Sequence, residues 1–167
     1  CLYGFSMSDD IGHRIIRQSN GLADNKIQSL MRDTLGTLWV GTAKGLNRIY
    51  EGKITDYNHD PRLCNKPITF ITRGSKNNIW VSVQEEGLFR YDYLTDTFQE
   101  MKIHDESIRP EWYSESSDCM WFCSKEGISR FHYGTGLYEM YIPRDWKESR
   151  YNGFCMNSDS TAQVSSL

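Results

Sequence analysis

The chain has 167 residues, with 19 basic and 22 acidic side chains and a formal net charge of −3. This mixed balance argues against a nucleic-acid-binding protein, which would carry a basic stripe, and gives no support for an anionic membrane surface as partner. No apolar run approaches the roughly 20 residues of a membrane-spanning helix. The length suffices for one domain with its own core, so we expect residues 1–167 to form a single domain or the N-terminal fragment of one.

Two short strands are predicted at the start of the chain, at residues 2–8 and 13–16. Gly4-Phe5 lies 41 residues before Gly45-Leu46, which marks residues 2–8 as a strand that recurs later. The small residues of this segment also fit the end of a secretory signal peptide, and both interpretations remain open.

Three similar repeats follow, and a tryptophan marks each of them. Trp39, Trp80 and Trp121 recur at intervals of 41 residues. Each is followed by a glycine and then by an arginine; the glycines are Gly45, Gly87 and Gly127, and the arginines are Arg48, Arg90 and Arg130. A period near 40 with a tryptophan-bearing strand and a glycine turn is the signature of a β-propeller blade.

The first repeat shows four strands clearly, at residues 27–31, 38–42, 46–50 and 53–57. The second repeat begins at Ile68 and the third at about Trp112. Alternation of apolar and polar residues over short segments, with turn residues between them, predicts an all-β fold of antiparallel strands.

A fourth repeat begins near the end of the chain, with a first strand at residues 151–156 and Ser165 where the next tryptophan would be. The sequence therefore predicts a β-propeller of four-stranded antiparallel blades, with three complete blades plus terminal half-blades. Either the two ends complete one blade and close a four-bladed ring, or the chain is part of a larger propeller. Both arrangements protect the strand edges.

The first repeat resembles a known family. Asn20–Ile27, Asp33–Thr42 and Lys44–Arg48 are similar to the two-component regulator propeller repeat, whose pattern is G-L-S-x-N-x-V, D-x-x-G-x-L-W-I-G-T and G-L-x-R-Y. The second repeat departs from this pattern at residues 74–78, and the third has cysteines in its second strand. The resemblance is therefore specific to the first repeat.

The resemblance implies a setting in signal transduction. Such propellers form the periplasmic sensor region of hybrid two-component regulators, notably in glycan-degrading gut Bacteroides. There, the ring is followed by a small β-sandwich, a transmembrane helix and a histidine kinase. The resemblance implies a non-enzymatic domain that senses an oligosaccharide, with the remaining blades or a second copy of the chain as its protein partner.

The repeat-locked residues are expected to be scaffold. We expect the three tryptophans to pack between blades and the three glycines to form turns, rather than to bind sugar. A ring of ligand-binding arginines is conceivable, but a structural role is favoured, with the head of each arginine bonding a neighbouring blade.

Residues that vary between repeats are better candidates for ligand binding. The loops between blades hold large aromatic and basic side chains, which suit an oligosaccharide through stacking and bidentate hydrogen bonds. The candidates are His59, His104, Arg109, Trp112, Tyr113, Arg144 and Trp146. The alternative is that these loop residues pack on the ring.

Other chemistry finds weaker support in the sequence. His59-Asp60 and His104-Asp105 occupy matching loops, but no third ligand is indicated, so no metal site and no cofactor are predicted. A propeller enzyme of the lyase or glycosidase type would need two convergent carboxylates, and nothing singles them out among Asp60, Asp105, Glu106 and Asp145. A pure interaction scaffold is the third alternative. Most of the five cysteines are interpreted as small buried hydrophobic residues.

Overall fold

Antiparallel strands make up nearly all the regular structure of the chain. The computed structural model describes residues 5–9, 12–74, 77–103, 106–107, 112–116, 118–123, 127–141, 151–156 and 162–166. A single 3₁₀ turn, Gln18–Asn20, ends where Gly21 adopts a left-handed conformation.

Three sheets have four strands each and follow one another along the chain. Blade A consists of β3 (Ile27–Arg32), β4 (Leu38–Thr42), β5 (Gly45–Tyr50) and β6 (Lys53–Asp56). Blade B consists of β7 (Ile68–Arg73), β8 (Ile79–Val83), β9 (Gly87–Asp92) and β10 (Thr97–Glu100). Blade C consists of β13 (Trp112–Glu115), β14 (Cys119–Cys123), β15 (Ile128–His132) and β16 (Tyr138–Tyr141).

Three two-stranded hairpins flank and connect the blades. The N-terminal hairpin is β1 (Phe5–Asp9) with β2 (Gly12–Ile16), and the C-terminal hairpin is β17 (Tyr151–Met156) with β18 (Ala162–Ser166). Between blades B and C lies a short hairpin of β11 (Lys102–Ile103) and β12 (Glu106–Ser107). The sequence predicts a loop for this last segment, so its pairing is a finding of the structure.

In every blade the strands are paired in chain order and antiparallel, which is the arrangement of a propeller blade. The register is the same in all three, because the tryptophan of the second strand lies opposite the arginine of the third strand. These pairs are Trp39 with Arg48, Trp80 with Arg90, and Trp121 with Arg130. The predicted all-β architecture of three complete blades with terminal half-blades is confirmed.

Adjacent blades pack face to face through apolar side chains. Trp39 and Trp80 are fully buried, the first in the core between blades A and B and the second in the core between blades B and C. A third core joins the N-terminal hairpin to blade A, where Phe5 and Ile16 pack against Val40. Trp39 and Trp80 therefore serve packing between neighbouring sheets, whereas Trp121 packs against Tyr141 and Arg130 of its own blade.

Two kinds of glycine are required by the fold. Gly45 and Gly87 open the third strand of blades A and B, and Gly127 immediately precedes that of blade C; their φ angles of 141°, 123° and 153° lie in a region that favours glycine. Gly41 is needed for a different reason: a Cβ there would lie 2.7 Å from Cγ2 of Ile68, so only glycine lets blade B approach β4 this closely.

The first strands of successive blades lie side by side, with β3 against β7 and β13 against β17. In the described ranges, β1–β2 and β17–β18 form separate two-stranded sheets with no ladder between them. The N-terminal hairpin supplies the third and fourth strands of a blade and the C-terminal hairpin supplies the first and second. Among the described strands, these hairpins thus do not close a four-bladed ring.

Candidate ligand-binding face

One end of the blades carries the loops in which the sequence places the ligand site. The connection from blade A to blade B, residues 57–67, lies beside the β4–β5 turn, because the N–H of Asn65 donates to the carbonyl of Lys44 over 3.2 Å. Lys66 reaches the β8–β9 turn and pairs with Glu86 at 2.8 Å. We call this end, formed by residues 43–44, 57–67 and 84–86, the loop face.

The 57–67 connection is held by one buried leucine, Leu63, and by the hydrogen bonds of one arginine, Arg62. Leu63 is fully buried in the core between blades A and B. Arg62 donates to both carboxylate oxygens of Asp60, at 2.9 and 2.6 Å, and to the carbonyl of Phe98 in blade B at 2.9 Å. The hydrogen bonds from Arg62 hold the pKa of Asp60 below its usual range, against the opposing effect of partial burial. Asp60 is therefore ionised, and both of its carboxylate oxygens are bound by Arg62.

Two of the predicted ligand-binding side chains can be located. His59 is exposed on the loop face, with its ring centroid 5.8 Å from that of Tyr57. Tyr113 lies on β13 with 43% of its surface exposed, and its ring packs at 5.1 Å against Phe70 of blade B. These two side chains thus rest on different blade junctions, the first on A/B and the second on B/C.

The other candidates fall outside what the structure describes. The backbone of Trp112 begins β13 and pairs with Cys123, but its side chain is not among the described ones. His104, Arg109, Arg144 and Trp146 lie outside the described residues. Of the acidic alternatives, Asp105 and Asp145 also lie outside them, and Glu106 is described only as part of β12.

Two of the three repeated arginines contact the blade that follows, whereas Arg130 bonds Glu139 and Tyr141 of its own blade. Arg48 donates to the hydroxyl of Tyr91 at 2.5 Å and to the carboxylate of Asp96 at 3.2 Å, both in blade B. The hydroxyls of Tyr57 and Tyr91 also donate to Asp96, at 2.8 and 2.6 Å. Arg90 instead lies over the ring of Phe131 in blade C, 5.4 Å from its centroid. Arg48 and Arg90 thus link blades, as expected for scaffold.

Partial burial and hydrogen bonds shift the pKa values in this group of Arg48, Tyr57, Tyr91 and Asp96. Burial disfavours the charged carboxylate, but the two tyrosine hydroxyls and the Arg48 charge outweigh it, so the pKa of Asp96 is lowered. Burial and the hydrogen bond to Asp96 raise the pKa of Tyr91 to about 12. Both tyrosines therefore stay neutral donors, and Asp96 stays a charged acceptor at neutral pH.

A cluster in blade C escaped the sequence analysis. Cys119 begins β14 directly opposite His132, the last residue of β15, and Sγ lies 3.1 Å from Nδ1. Asp118 completes a group of three whose ligand atoms all lie within 4.8 Å of one another. The cysteine and histidine are 13 residues apart with no motif between them. Only the pairing of the two strands would have revealed them.

Comparison with known proteins agrees with the architecture. Residues 21–44 match the family model described as two component regulator propeller. The chain thus contains β-propeller blades, and this stretch is a two-component regulator propeller repeat. It includes the β3–β4 hairpin and the Trp39 strand. No curated protein sequence matches at a significant level.

Several solved structures share the fold. The extracellular domain of a B. thetaiotaomicron protein named as a one-component system superposes with a TM-score of 0.74, at 16% identity over 99% of this chain. That of a hybrid two-component system from the same organism gives 0.69, at 18% identity over 90%. Virginiamycin B lyase from Staphylococcus aureus gives 0.66, at 20% identity over 99% of this chain and 57% of its own. At these identities the likeness establishes the fold alone.

The chain spans about a quarter of the two B. thetaiotaomicron domains, 24% and 23% of their lengths. Among the residues described, there is no helix with the length and apolar character needed to cross a membrane.

Proposed function

We propose that this chain is part of the extracytoplasmic, periplasmic ligand-sensing region of a hybrid two-component signalling protein, and that its ligand is an oligosaccharide. The observation that carries the proposal is the two-component regulator propeller repeat at residues 21–44. The likeness to two extracellular domains of B. thetaiotaomicron signalling proteins supports the same assignment. A histidine kinase elsewhere in the full-length protein would receive the signal.

The loop face is the proposed binding surface. Its connections differ from blade to blade, whereas the strands beneath them repeat, so ligand specificity can change without loss of the fold. His59 is exposed there, and Tyr113 presents an exposed ring on the first strand of blade C. Together with Arg109, Trp112, Arg144 and Trp146, and with His104, these residues would stack on sugar rings and bind their polar groups.

A sensing role fits the described chemistry better than catalysis does. A glycosidase needs one protonated carboxylic acid with a raised pKa beside a second carboxylate. Asp60 is the candidate carboxylate that the structure describes, and Arg62 engages both of its oxygens and lowers its pKa. Incubating the protein with the oligosaccharide that it binds tests this point, since an enzyme would release shorter products and a sensor would return the ligand intact.

Signalling requires that the ligand discriminate between two states of the receptor, because a ligand shifts an equilibrium only by its differential affinity. The two terminal hairpins offer such an element. Each holds half of a blade, and in our proposal the remaining blades of a longer protein, or a second copy, complete them. A ligand on the loop face would then alter how neighbouring blades pack.

The experiment compares loop and core variants. We expect Trp112→Ala combined with Trp146→Ala to abolish binding on a glycan array while leaving the melting temperature unchanged. Tyr113→Ala should weaken binding of the same glycan. Tyr50→Ala is the matched control: Tyr50 is 45% exposed against 43% for Tyr113, but it ends β5 at the opposite end of blade A.

Two results would contradict the proposal in different ways. Early melting of the double variant would show that these tryptophans are core residues and would remove the site assignment. Equal weakening by Tyr50→Ala and Tyr113→Ala would show that the loop face is not the binding surface.

A further inference from the structure

The cluster of Asp118, Cys119 and His132 in blade C has the composition of a metal site. We propose that it binds one Zn²⁺, with the Sγ of Cys119, the Nδ1 of His132 and one carboxylate oxygen of Asp118 as ligands. A water molecule would complete the coordination. This site is separate from the loop face, because it lies where β14 begins and β15 ends, at the opposite end of the blade.

The backbone brings the two strongest ligands together. Cys119 and His132 are directly opposite in the β14–β15 ladder, and the N–H of Tyr133 donates to the carbonyl of Asp118 over 2.9 Å. These pairings hold the three residues in one place independently of any ion. The preorganised part of the site is therefore the cysteine–histidine pair.

The distances suit a tetrahedral ion. Zn–S of about 2.3 Å and Zn–N or Zn–O of about 2.0–2.2 Å require ligand atoms to be about 3.3–3.6 Å apart. Sγ and Nδ1 are 3.1 Å apart, and the full set lies within 4.8 Å. Asp118 is exposed, so its side chain has room to rotate toward the other two. Binding would displace the thiol proton of Cys119 to solvent.

A second carboxylate orients the imidazole. His132 Nε2 lies 3.3 Å from Oε2 of Glu139, which suits an N–H at Nε2 and leaves the lone pair of Nδ1 directed at Sγ. Glu139 is itself held by Arg130 at 2.6 Å and by the hydroxyl of Tyr141 at 2.9 Å. A carboxylate behind a histidine ligand is the usual support in zinc sites.

The choice of zinc follows from the donors. One thiolate and one imidazole favour Zn²⁺ over Mg²⁺ or Ca²⁺, which prefer oxygen ligands alone. Three protein ligands with a water are typical of an open site. Asp118 is exposed, and the side chain of His132 is 26% exposed, so the ion would be reachable from solvent.

The blade scaffold does not require this cluster. The register places Thr37 and Tyr50 at the equivalent positions in blade A, and Asn78 and Asp92 in blade B. Neither of those pairs joins a thiol to an imidazole, yet both blades form the same four strands. The cluster is therefore an addition to blade C.

The test is titration of the reduced, chelator-treated 167-residue chain with Co²⁺ and then with Zn²⁺. We expect one Co²⁺ per chain, with a thiolate charge-transfer band and the strong visible bands of a tetrahedral ion, both lost when Zn²⁺ displaces the cobalt. Cys119→Ser and His132→Gln should abolish these bands. Cys123→Ser is the matched control, since Cys123 is a buried cysteine at the other end of the same strand, and should keep them.

Two variants keep the test decisive if Cys119→Ser does not fold. Asp118→Asn changes an exposed side chain and should weaken Zn²⁺ binding while the circular dichroism spectrum is unchanged. Glu139→Gln should weaken it about 10–100-fold, the usual effect of losing the carboxylate behind a histidine ligand. Absence of a cobalt–thiolate band in the parent chain, or an equal affinity in Asp118→Asn and the parent, would overturn the proposal.

Discussion

The interface between blades A and B and the interface between blades B and C have the same strand register but different chemistry. At the A/B interface a fixed arginine–tyrosine–aspartate group surrounds Arg48. The register gives Arg90 the equivalent position at the B/C interface, where Tyr57 is replaced by Met101, Tyr91 by Phe131 and Asp96 by Gly136. One interface is therefore cross-linked by hydrogen bonds, and the other is packed by apolar and cation–π contacts.

A second difference lies at the turn between the first two strands. In blade A, Asp33 is 5% exposed and accepts from the indole N–H of Trp39 and from the hydroxyl of Tyr93 in blade B, both at 3.0 Å. In blade B, Gly74 stands at the same position. There the buried indole N–H of Trp80 has no hydrogen-bond partner among the described residues, and a Cβ on Gly74 would overlap the hydroxyl of Tyr133.

Among the described residues, both interfaces therefore have an apolar core, and the arginine–tyrosine–aspartate group is found at the A/B interface. Of the polar residues at the A/B interface, Asp33 and Trp39 lie in the stretch that matches the family model, residues 21–44, whereas Arg48 and its partners lie after it. The two interfaces differ in these contacts although the blades share one strand register.

The largest effect is expected from removing a core tryptophan. Trp39→Ala should lower the free energy of unfolding by roughly 3–5 kcal/mol, the usual cost of emptying a buried aromatic site. Trp80→Ala should cost a similar amount, because both side chains are fully buried between blades. Urea unfolding of both variants measures this. A cost below 1 kcal/mol for either would show that the shared core is not what both interfaces need.

The loss of stability caused by Asp33→Ala should distinguish the A/B interface from the B/C interface. It leaves the indole N–H of Trp39 and the N–H groups of Leu35 and Thr37 without their acceptor, so we expect a loss of about 2–4 kcal/mol. Ser116 of blade C occupies the equivalent turn position, and Ser116→Ala is the control, with an expected loss below about 1 kcal/mol. Equal losses in the two variants, by chemical denaturation, would contradict the distinction.

Replacing Arg48 or Arg90 should change the free energy of unfolding by a smaller amount. In a double-mutant cycle of Arg48→Met and Asp96→Asn we expect a coupling of about 0.5–1 kcal/mol, because the ion pair is partly exposed. Arg90→Met should cost about 0.5 kcal/mol, the value of an exposed cation–π contact. If Arg90→Met costs as much as Arg48→Met, the hydrogen-bonded group adds nothing to the A/B interface.

The dependence of stability on pH should be the smallest effect. The folded-state pKa of Asp96 is lowered, so its contribution is fully present above the unfolded-state pKa of an aspartate and is lost as pH falls through the folded value. The denaturation midpoint of the parent should therefore fall in acid more steeply than that of Asp96→Asn. Parallel curves from pH 7 to pH 3 would show that Asp96 has no special environment.

The blade architecture could be predicted from the sequence because single residues at a fixed spacing mark each repeat. The tryptophan, glycine and arginine spacing predicted the blades, the strand order and the half-blades at each end. The 11 residues between β10 and β13 carry no such spacing, so the β11–β12 hairpin was missed. The Cys119–His132 pair was missed for the same reason, since strand register rather than sequence distance creates it. Of the predicted ligand site, His59 and Tyr113 could be located.

Hydrogen exchange of Asp33→Ala against the parent chain tests most directly whether the two interfaces are held differently. We predict that peptides covering residues 27–42 and 68–73 lose much more protection against exchange than peptides from blade C. Peptides covering residues 119–123 and 128–132 should keep most of theirs, because apolar packing holds that junction. An equal loss of protection in all three blades, or none in blades A and B, would contradict the account.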